Sequence, residues 1–395
     1  MPRTKDMDTT DQLRSAALTH LEALIGFDTT SRDSNLRLIE YVEAFLAGHG
    51  VISRRVANAE GTKANLYATI GPAVAGGVVL SGHTDVVPVD GQAWSSDPFV
   101  LTRRGERLYG RGTCDMKGFL ALALASVPGF ARGTSARPIH LAFSYDEEVG
   151  CIGAPSMIEK LVTNLPAPLA VIVGEPTSME VVSGHKGIST WRVTVTGHEA
   201  HSSLTHLGLS ANMIAVGLME RLRQIGEDLA RHGDPDSPYH PPHATLTIGL
   251  INGGTAVNIL ARECTFSFDL RTPPGQDPDT IIVPFLDACA TAHRTAQAQF
   301  ADAGVSVIRR SATPSFAPER DGAAEVLARR LAGDNGPTRA AAYAAEAGQF
   351  QRAGFSTIIC GPGSIEQAHQ ADEFIDLAQI ERGAAFMRRL GETLG

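Results

Sequence analysis

A chain of 395 residues exceeds what one ordinary hydrophobic core organises, so two domains are expected. The composition is globular, with 43% apolar and 19% charged residues and 40 glycines, and the net charge is −9. With no basic block and no Lys/Arg stripe interleaved with aromatics, nucleic acid and anionic membranes are excluded as expected partners.

The N-terminal stretch MPRTKDMDTTDQLRS carries charges but no apolar centre, so no signal peptide is read there. From Thr10 to Ile25, Leu13, Ala16, Ala17, Leu21 and Leu24 recur at helical spacing. Leu36 to Ala47 repeats the pattern with Leu36, Ile39, Val42 and Leu46. Asn65 to Ile70 and Val78 to Ser81 read as strands, the second apolar throughout and therefore buried on both faces. Gly118 to Val127 reads as a buried helix, and the apolar run near Phe119 to Phe130 falls short of the ~20 residues a membrane span requires. Ile139 to Ser144, Leu169 to Val173 and Thr357 to Cys360 are further short apolar strands. Strands alternating with helices predict an α/β domain whose central sheet is largely parallel and flanked by helices.

From about Val181 the texture changes. Thr190 to Thr196, Ala244 to Leu250, Glu263 to Leu270 and Val305 to Arg309 read as strands. Ala211 to Leu229 and Asp279 to Ala296 read as helices between them. Strand, helix, two strands, helix, strand is the order of an α+β, ferredoxin-like sandwich. It predicts an insertion at 183–311 within a first domain made of 1–182 and 312–395. Cys114, Cys151, Cys264, Cys289 and Cys360 are odd in number, scattered and without a CxxC pair. That favours reduced thiols and a cytoplasmic protein.

The run Asp146-Glu147-Glu148 follows the strand IHLAFS, one residue beyond its end. Three adjacent carboxylates repel one another, and they need either water or cations among them. Other ligand-type residues share that position. His83 and Asp85 follow VVLSG, Glu175 follows LAVIV, Asp115 lies in the loop YGRGTCDMKG, and His369 lies in a loop after TIIC. Any one of these alone reads as a turn or solvent residue; five at one strand edge, where open α/β sheets bind ligands, do not. Two imidazoles and three carboxylates suit two zinc- or cobalt-type ions better than calcium or magnesium. Such a pair would activate a shared water and polarise a carbonyl, leaving one of Glu147 and Glu148 to carry the proton. Asp85 is placed to accept the second N–H of the His83 ring. No GxSxG, HExxH, GxxxxGK[ST] or GxGxxG signature competes.

The segments SGHTDVVPVD, YGRGTCDMKG, SYDEEVGCIGA, VGEPT, GHEAHSS and GPGSIEQAH resemble, in order and spacing, those of the M20 family of dinuclear zinc amidohydrolases and peptidases. The resemblance spans essentially the whole chain. GRGTCDMKG, DEEVGC, GGTAVN and CGPGSIEQAH are most similar to its acetylornithine deacetylase branch. This implies hydrolysis of N2-acetyl-L-ornithine to L-ornithine and acetate, a step of arginine biosynthesis. The nearest alternative is another N-acyl amino acid such as N-succinyl-diaminopimelate. A catalytically inactive binding protein of the same fold is the alternative of another class.

The resemblance further implies that His83 and Glu175 hold one metal, Glu148 and His369 the other, and that Asp115 bridges them. Two Zn2+ are the expected cofactor, with Co2+ able to substitute. Glu147 matches the general acid/base, Asp85 the partner of the ligand histidine, and the peptide after Asp115 would be cis. The insertion would act as a dimerisation (lid) domain, with His201 of GHEAHSS reaching the neighbouring subunit's site to stabilise the oxyanion. Asn258 and Arg271 match contacts to the substrate carboxylate, and Gly348 and Gly363 would let backbone approach the ligand. A loop histidine and a strand-end ion pair are the plain alternatives for His201 and Arg271. Cys114 is read as packing. Glu346 in AEAGQF would suit the cationic end of ornithine. The run SSLTHLGLSAN departs from the family pattern at His206 and Ser210, which leaves the dimer-face loop open.

Overall fold

In the computed structural model, which describes residues 10–132 and 135–395, the chain divides into two units. One comprises Met1–Ser183, Phe316–Arg339 and Ala345–Gly395; the other comprises Gly184–Ser315 and Ala340–Ala344.

The first unit is built on the apolar strands. Val78–His83, Ile139–Ser144 and Ala170–Val173 are buried at every position, as strands covered on both faces must be. The eight-stranded sheet runs Ser53–Ala57, Ala64–Ile70, Ile139–Ser144, Val78–His83, Ala170–Val173, Thr357–Ile359, Val182–His185, Arg339–Ala341. The four strands from Ile139–Ser144 to Thr357–Ile359 are mutually parallel, with antiparallel pairs outside them. This is the expected α/β sheet.

Register sets the site. His83 pairs with Ser144, Ser81 with Val173, and Ile359 with Val173, so these strands end nearly level. The residues that follow each strand therefore emerge along one edge.

The helix Gly118–Arg132 is buried from Gly118 to Val127 and lies in the core with Thr10–Ile25 and Leu377–Leu394. Counted with the turn before it, Thr113–Arg132 spans 20 residues and is apolar enough to cross a membrane. The sequence-based length limit is thereby corrected. Because 83% of that stretch is buried within the protein, it reads as a core helix.

The second unit is a four-stranded antiparallel sheet in the order Thr245–Gly253, Glu263–Thr272, Gly187–Thr196, Gly304–Thr313. This is the predicted ferredoxin-like order. Gly187–Thr196 buries alternate residues, among them Trp191, Val193 and Val195. They share a core with Leu218 and Leu222 of the helix Ala211–Arg231 and with Ile282 and Phe285 of Pro278–Gln299. Trp191 and Phe268 stack at 5.1 Å across neighbouring strands. The unit's main segment ends at Ser315 because its last strand continues to Thr313, past the 311 boundary expected from sequence.

Candidate metal centre

The level strand ends bring His83, Glu147, Glu148 and Glu175 to one edge of the first unit's sheet. Asp115 enters from the turn Thr113–Lys117 that precedes the helix Gly118–Arg132, and its peptide bond to Met116 is cis. His369 enters from the loop after Thr357–Ile359 with φ at +64°, in the left-handed region. The loops pack closely enough that Gly361 has no room for a side chain: a Cβ there would lie 2.0 Å from the Gly174 carbonyl oxygen.

Two ligand triplets result, His83–Asp115–Glu175 and Asp115–Glu148–His369, the donor atoms of each lying within 4.8 Å of one another. Asp115 belongs to both. Its Oδ1 is 3.0 Å from His83 Nε2 and its Oδ2 is 3.3 Å from His369 Nε2. His369 Nε2 is also 3.0 Å from Glu148 Oε2, and His83 Nε2 is 4.0 Å from Glu175 Oε1. Buried Glu148 Oε1 and Glu175 Oε1 have no hydrogen-bond partner among the described residues. Buried carboxylate oxygens left unpaired beside imidazole nitrogens are what a nitrogen- and oxygen-preferring cation satisfies, so the donor set fits metal.

The imidazoles and carboxylates of the two triplets shift one another strongly. Burial pushes His83 down, but its hydrogen bond to Asp115 and the charges of Glu175 and Glu147 outweigh burial and hold it well above the usual histidine range. His369 is lifted to about 10 by its bonds to Asp115 and Glu148. Burial raises Asp115, and the two imidazoles more than reverse this. Glu148 is pushed up to about 7 by burial and by Asp115, and Glu175 is driven well above the carboxylate range by burial and by Glu147.

Metal must displace these protons. Uptake near pH 7 is therefore expected to release at least the two imidazolium protons, and affinity is expected to fall as the pH drops from about 10, where His369 takes up its proton. Titration calorimetry of zinc in buffers of different ionisation enthalpy checks this. A binding heat independent of buffer would contradict it.

Glu147 sits beside the triplets. Burial raises its carboxyl well above the ordinary range, against the pull of His83. The Cys151 thiol donates to Glu147 Oε1 at 3.1 Å, a contact the sequence reading missed although the four-residue spacing in DEEVGC was visible. Asp85 plays a different part from the one expected. The His83 Nδ1–H donates to the backbone carbonyl of Asp85 at 2.9 Å, and its distance to the carboxylate is 3.6 Å. The Asp85 carboxylate instead accepts the N–H groups of Glu147 and Glu148 and the Ser31 hydroxyl. It holds the acidic turn in place rather than orienting the ring through its side chain.

Glu346 is 1% exposed and has Ser81 Oγ 3.5 Å from its carboxylate, and burial pushes it to about 7. Gly363 has φ at +85°, and a Cβ there would lie 2.6 Å from the Cys114 sulfur, so packing against Cys114 already demands glycine. Gly348 is buried in the short helix Ala347–Arg352.

In the second unit, His201 is exposed, with Nδ1 2.8 Å from the Ser203 hydroxyl. Asn258 is exposed and accepts the Ser202 N–H through its carbonyl, so the His201 and Asn258 loops adjoin. Arg271 Nε donates to Asp269 at 3.1 Å, the ion pair foreseen as its plain alternative.

Peptidase family M20/M25/M40 matches residues 79–393. The chain is 34% identical to an acetylornithine deacetylase of Myxococcus xanthus over 97% of each chain. It is 32% identical to that of Proteus mirabilis over 93% of this chain and 92% of the other. The fold is similar to an M20 family metallo-carboxypeptidase from Sulfolobus solfataricus, with a TM-score of 0.76 at 16% identity covering 95% and 98% of the two chains. Human carnosine dipeptidase 1 is also similar, with a TM-score of 0.74 at 17% identity covering 97% and 100%. The chain belongs to peptidase family M20/M25/M40 and is, by that membership, a hydrolase.

Proposed function

We propose that this protein hydrolyses the amide bond of an N-acyl amino acid with two divalent cations, zinc by preference and cobalt in its place. The substrate we assign is N2-acetyl-L-ornithine, cleaved to L-ornithine and acetate. The observation that carries this reading is the pair of ligand triplets sharing Asp115 beside Glu147. The third-identical acetylornithine deacetylases, matched over nearly the whole chain, support the choice of substrate.

His83, Asp115 and Glu175 would hold one cation, and Asp115, Glu148 and His369 the other. When bound, such cations acidify water and polarise an acyl carbonyl. Glu147 does the proton work: a carboxyl raised toward neutrality takes a proton from water and returns it to the leaving amine. Asp85 keeps Glu147 and Glu148 in register through their N–H groups. Asn258 and the terminal nitrogens of Arg271 would meet the substrate carboxylate, with Gly348 and Gly363 shaping the loops around it.

The second unit we read as a homodimer contact. Its edge strand Thr245–Gly253 pairs on one side with Glu263–Thr272 and leaves Leu250 70% and Ile251 61% exposed. The helix packed on that strand exposes Met213 and Val216. An unpaired edge rimmed with apolar groups needs a cover. Placing glutamate at both Leu250 and Ile251 is expected to yield monomers in sedimentation, and a dimer that survives would remove this surface from the role. In the dimer, His201 would serve the partner's site as oxyanion donor. The five cysteines are buried and none forms a disulfide among the described residues, which suits a reducing compartment, and we place the protein in the cytoplasm.

Amine release from a panel of N-acetyl and N-succinyl amino acids, with zinc or cobalt, tests the reading. N2-acetyl-L-ornithine is expected to lead in kcat/KM by about tenfold or more. A lead for N-succinyl-diaminopimelate would reassign the acyl group. Turnover of none would end the amidohydrolase reading.

A further inference from the structure

The Asp115–Glu148–His369 triplet joins three loops, and the two that carry Asp115 and His369 lie 254 residues apart in the chain. A separate, mostly buried network ties the backbones of those loops together. Glu373, four residues past His369 and 1% exposed, accepts four hydrogen bonds. Three come from the N–H groups of Gly112 (3.1 Å), Cys114 (2.9 Å) and Asp115 (3.1 Å), and the fourth from Arg111 Nη1 at 2.7 Å. Arg111 is also 1% exposed, and its guanidinium carbon lies 5.1 Å from the Trp94 ring centroid. Its other terminal nitrogen donates to Gln92 Oε1, and Gln92 Nε2 donates to the backbone carbonyl of His369 at 2.9 Å. Arg111 thus reaches Asp115 through Glu373 and His369 through Gln92.

A planar guanidinium with two diverging N–H arms is suited to this; an ammonium is not. His369 needs such a hold, since a non-glycine residue at φ +64° is favoured only where its surroundings fix it. A buried ion pair with every acceptor used is also costly to build for stability alone.

We propose that Arg111 is a positioning residue for the second cation site, presetting Asp115 and His369 at ligand spacing through Glu373 and Gln92. This rests on the two-cation reading above. Groups behind metal ligands tune affinity by about 10–100-fold when removed, and the loss here falls hardest on the Asp115–Glu148–His369 site, which takes two ligands from the network where the other takes one. Among the described residues the hydrogen bonds of the network do not reach the side chains of His83, Glu148 or Glu175, so the His83–Asp115–Glu175 triplet keeps two of its three ligands independent of it.

Arg111→Met and Gln92→Leu are titrated with zinc by calorimetry on the metal-free full chain, and with cobalt by visible absorption. The expected result is the Asp115–Glu148–His369 site weakened about 10–100-fold and the other site weakened less, with the cobalt spectrum of the weaker site lost at limiting metal. Arg111→Lys, which keeps charge but not the fork, is expected to recover little. Gln92 is only half-buried, so Gln92→Leu decides the matter should Arg111→Met fail to fold. Folded variants that bind both ions like the wild type would overturn the inference, and so would equal weakening of both sites. A wild type that binds fewer than two ions would instead fail the two-cation reading and take this inference with it.

Discussion

Replacing Asp115 with alanine is expected to strip both cations from the protein at once. Each of its oxygens faces a different imidazole, His83 at 3.0 Å and His369 at 3.3 Å, so each triplet loses a ligand together. The remnants, His83 with Glu175 and Glu148 with His369, are pairs, and open zinc sites keep three protein ligands. Glu175→Ala or His369→Ala touches one triplet only and should leave one ion in place. Elemental analysis after dialysis measures the difference, and thermal unfolding with and without zinc gives a second reading. A ligand that binds only the folded state raises stability by about 2.7 kcal/mol at a hundred times its dissociation constant, and Asp115→Ala should lose most of that gain. The metal-free variant should also be weaker than the metal-free wild type, because the buried His83 imidazole loses its carboxylate, and breaking a buried pair costs about 3–5 kcal/mol; His369, whose side chain is half exposed, adds less. Two ions retained by Asp115→Ala would show that the carboxylate does not bridge.

The sheet that assembles these ligands was legible because buried parallel strands are apolar without interruption. VVLSG, IHLAFS and LAVIV announce themselves, and a ligand-type residue within one or two positions of each has to sit at the strand's end. The ferredoxin-like unit was legible for a different reason. Its strands bury one face, so Gly187–Thr196 alternates, and the order of strands and helices does the rest.

Short elements escaped. Thr102–Arg104 and Arg107–Tyr109 are three residues each, too short for any period to register. The helix Ala154–Asn164 did carry a signal, with Pro155 at its first turn and Met157, Ile158 and Leu161 buried on one face. The side-chain partners were out of reach in principle. Arg111 and Glu373 meet across 262 residues, and nothing local to either predicts the other. Asp85 shows the same limit at short range: its spacing from His83 was plain, yet which atom would face the ring depended on where the acidic turn came to rest.

Glu147→Gln is expected to lower kcat by about 10²–10⁴-fold while leaving both ions bound. The amide keeps the size and the acceptor oxygen that the Cys151 thiol reaches at 3.1 Å, so the acidic turn should stay in place, but it can neither take nor return a proton. Binding of substrate is not the residue's task, so KM should move little and the loss should sit in kcat, the mark of an interaction made in the transition state. The pH dependence supplies a second check. A carboxyl raised by burial must be ionised to accept a proton, so the wild-type kcat/KM should fall as the pH drops through its elevated value. That acid limb should flatten in the small residual activity of Glu147→Gln. Full activity in the variant would move the proton work elsewhere. A variant that loses metal along with activity would make Glu147 a ligand instead, and Glu148, whose Oε2 already lies 3.0 Å from His369, could not then be the only carboxylate of the acidic turn at the metals.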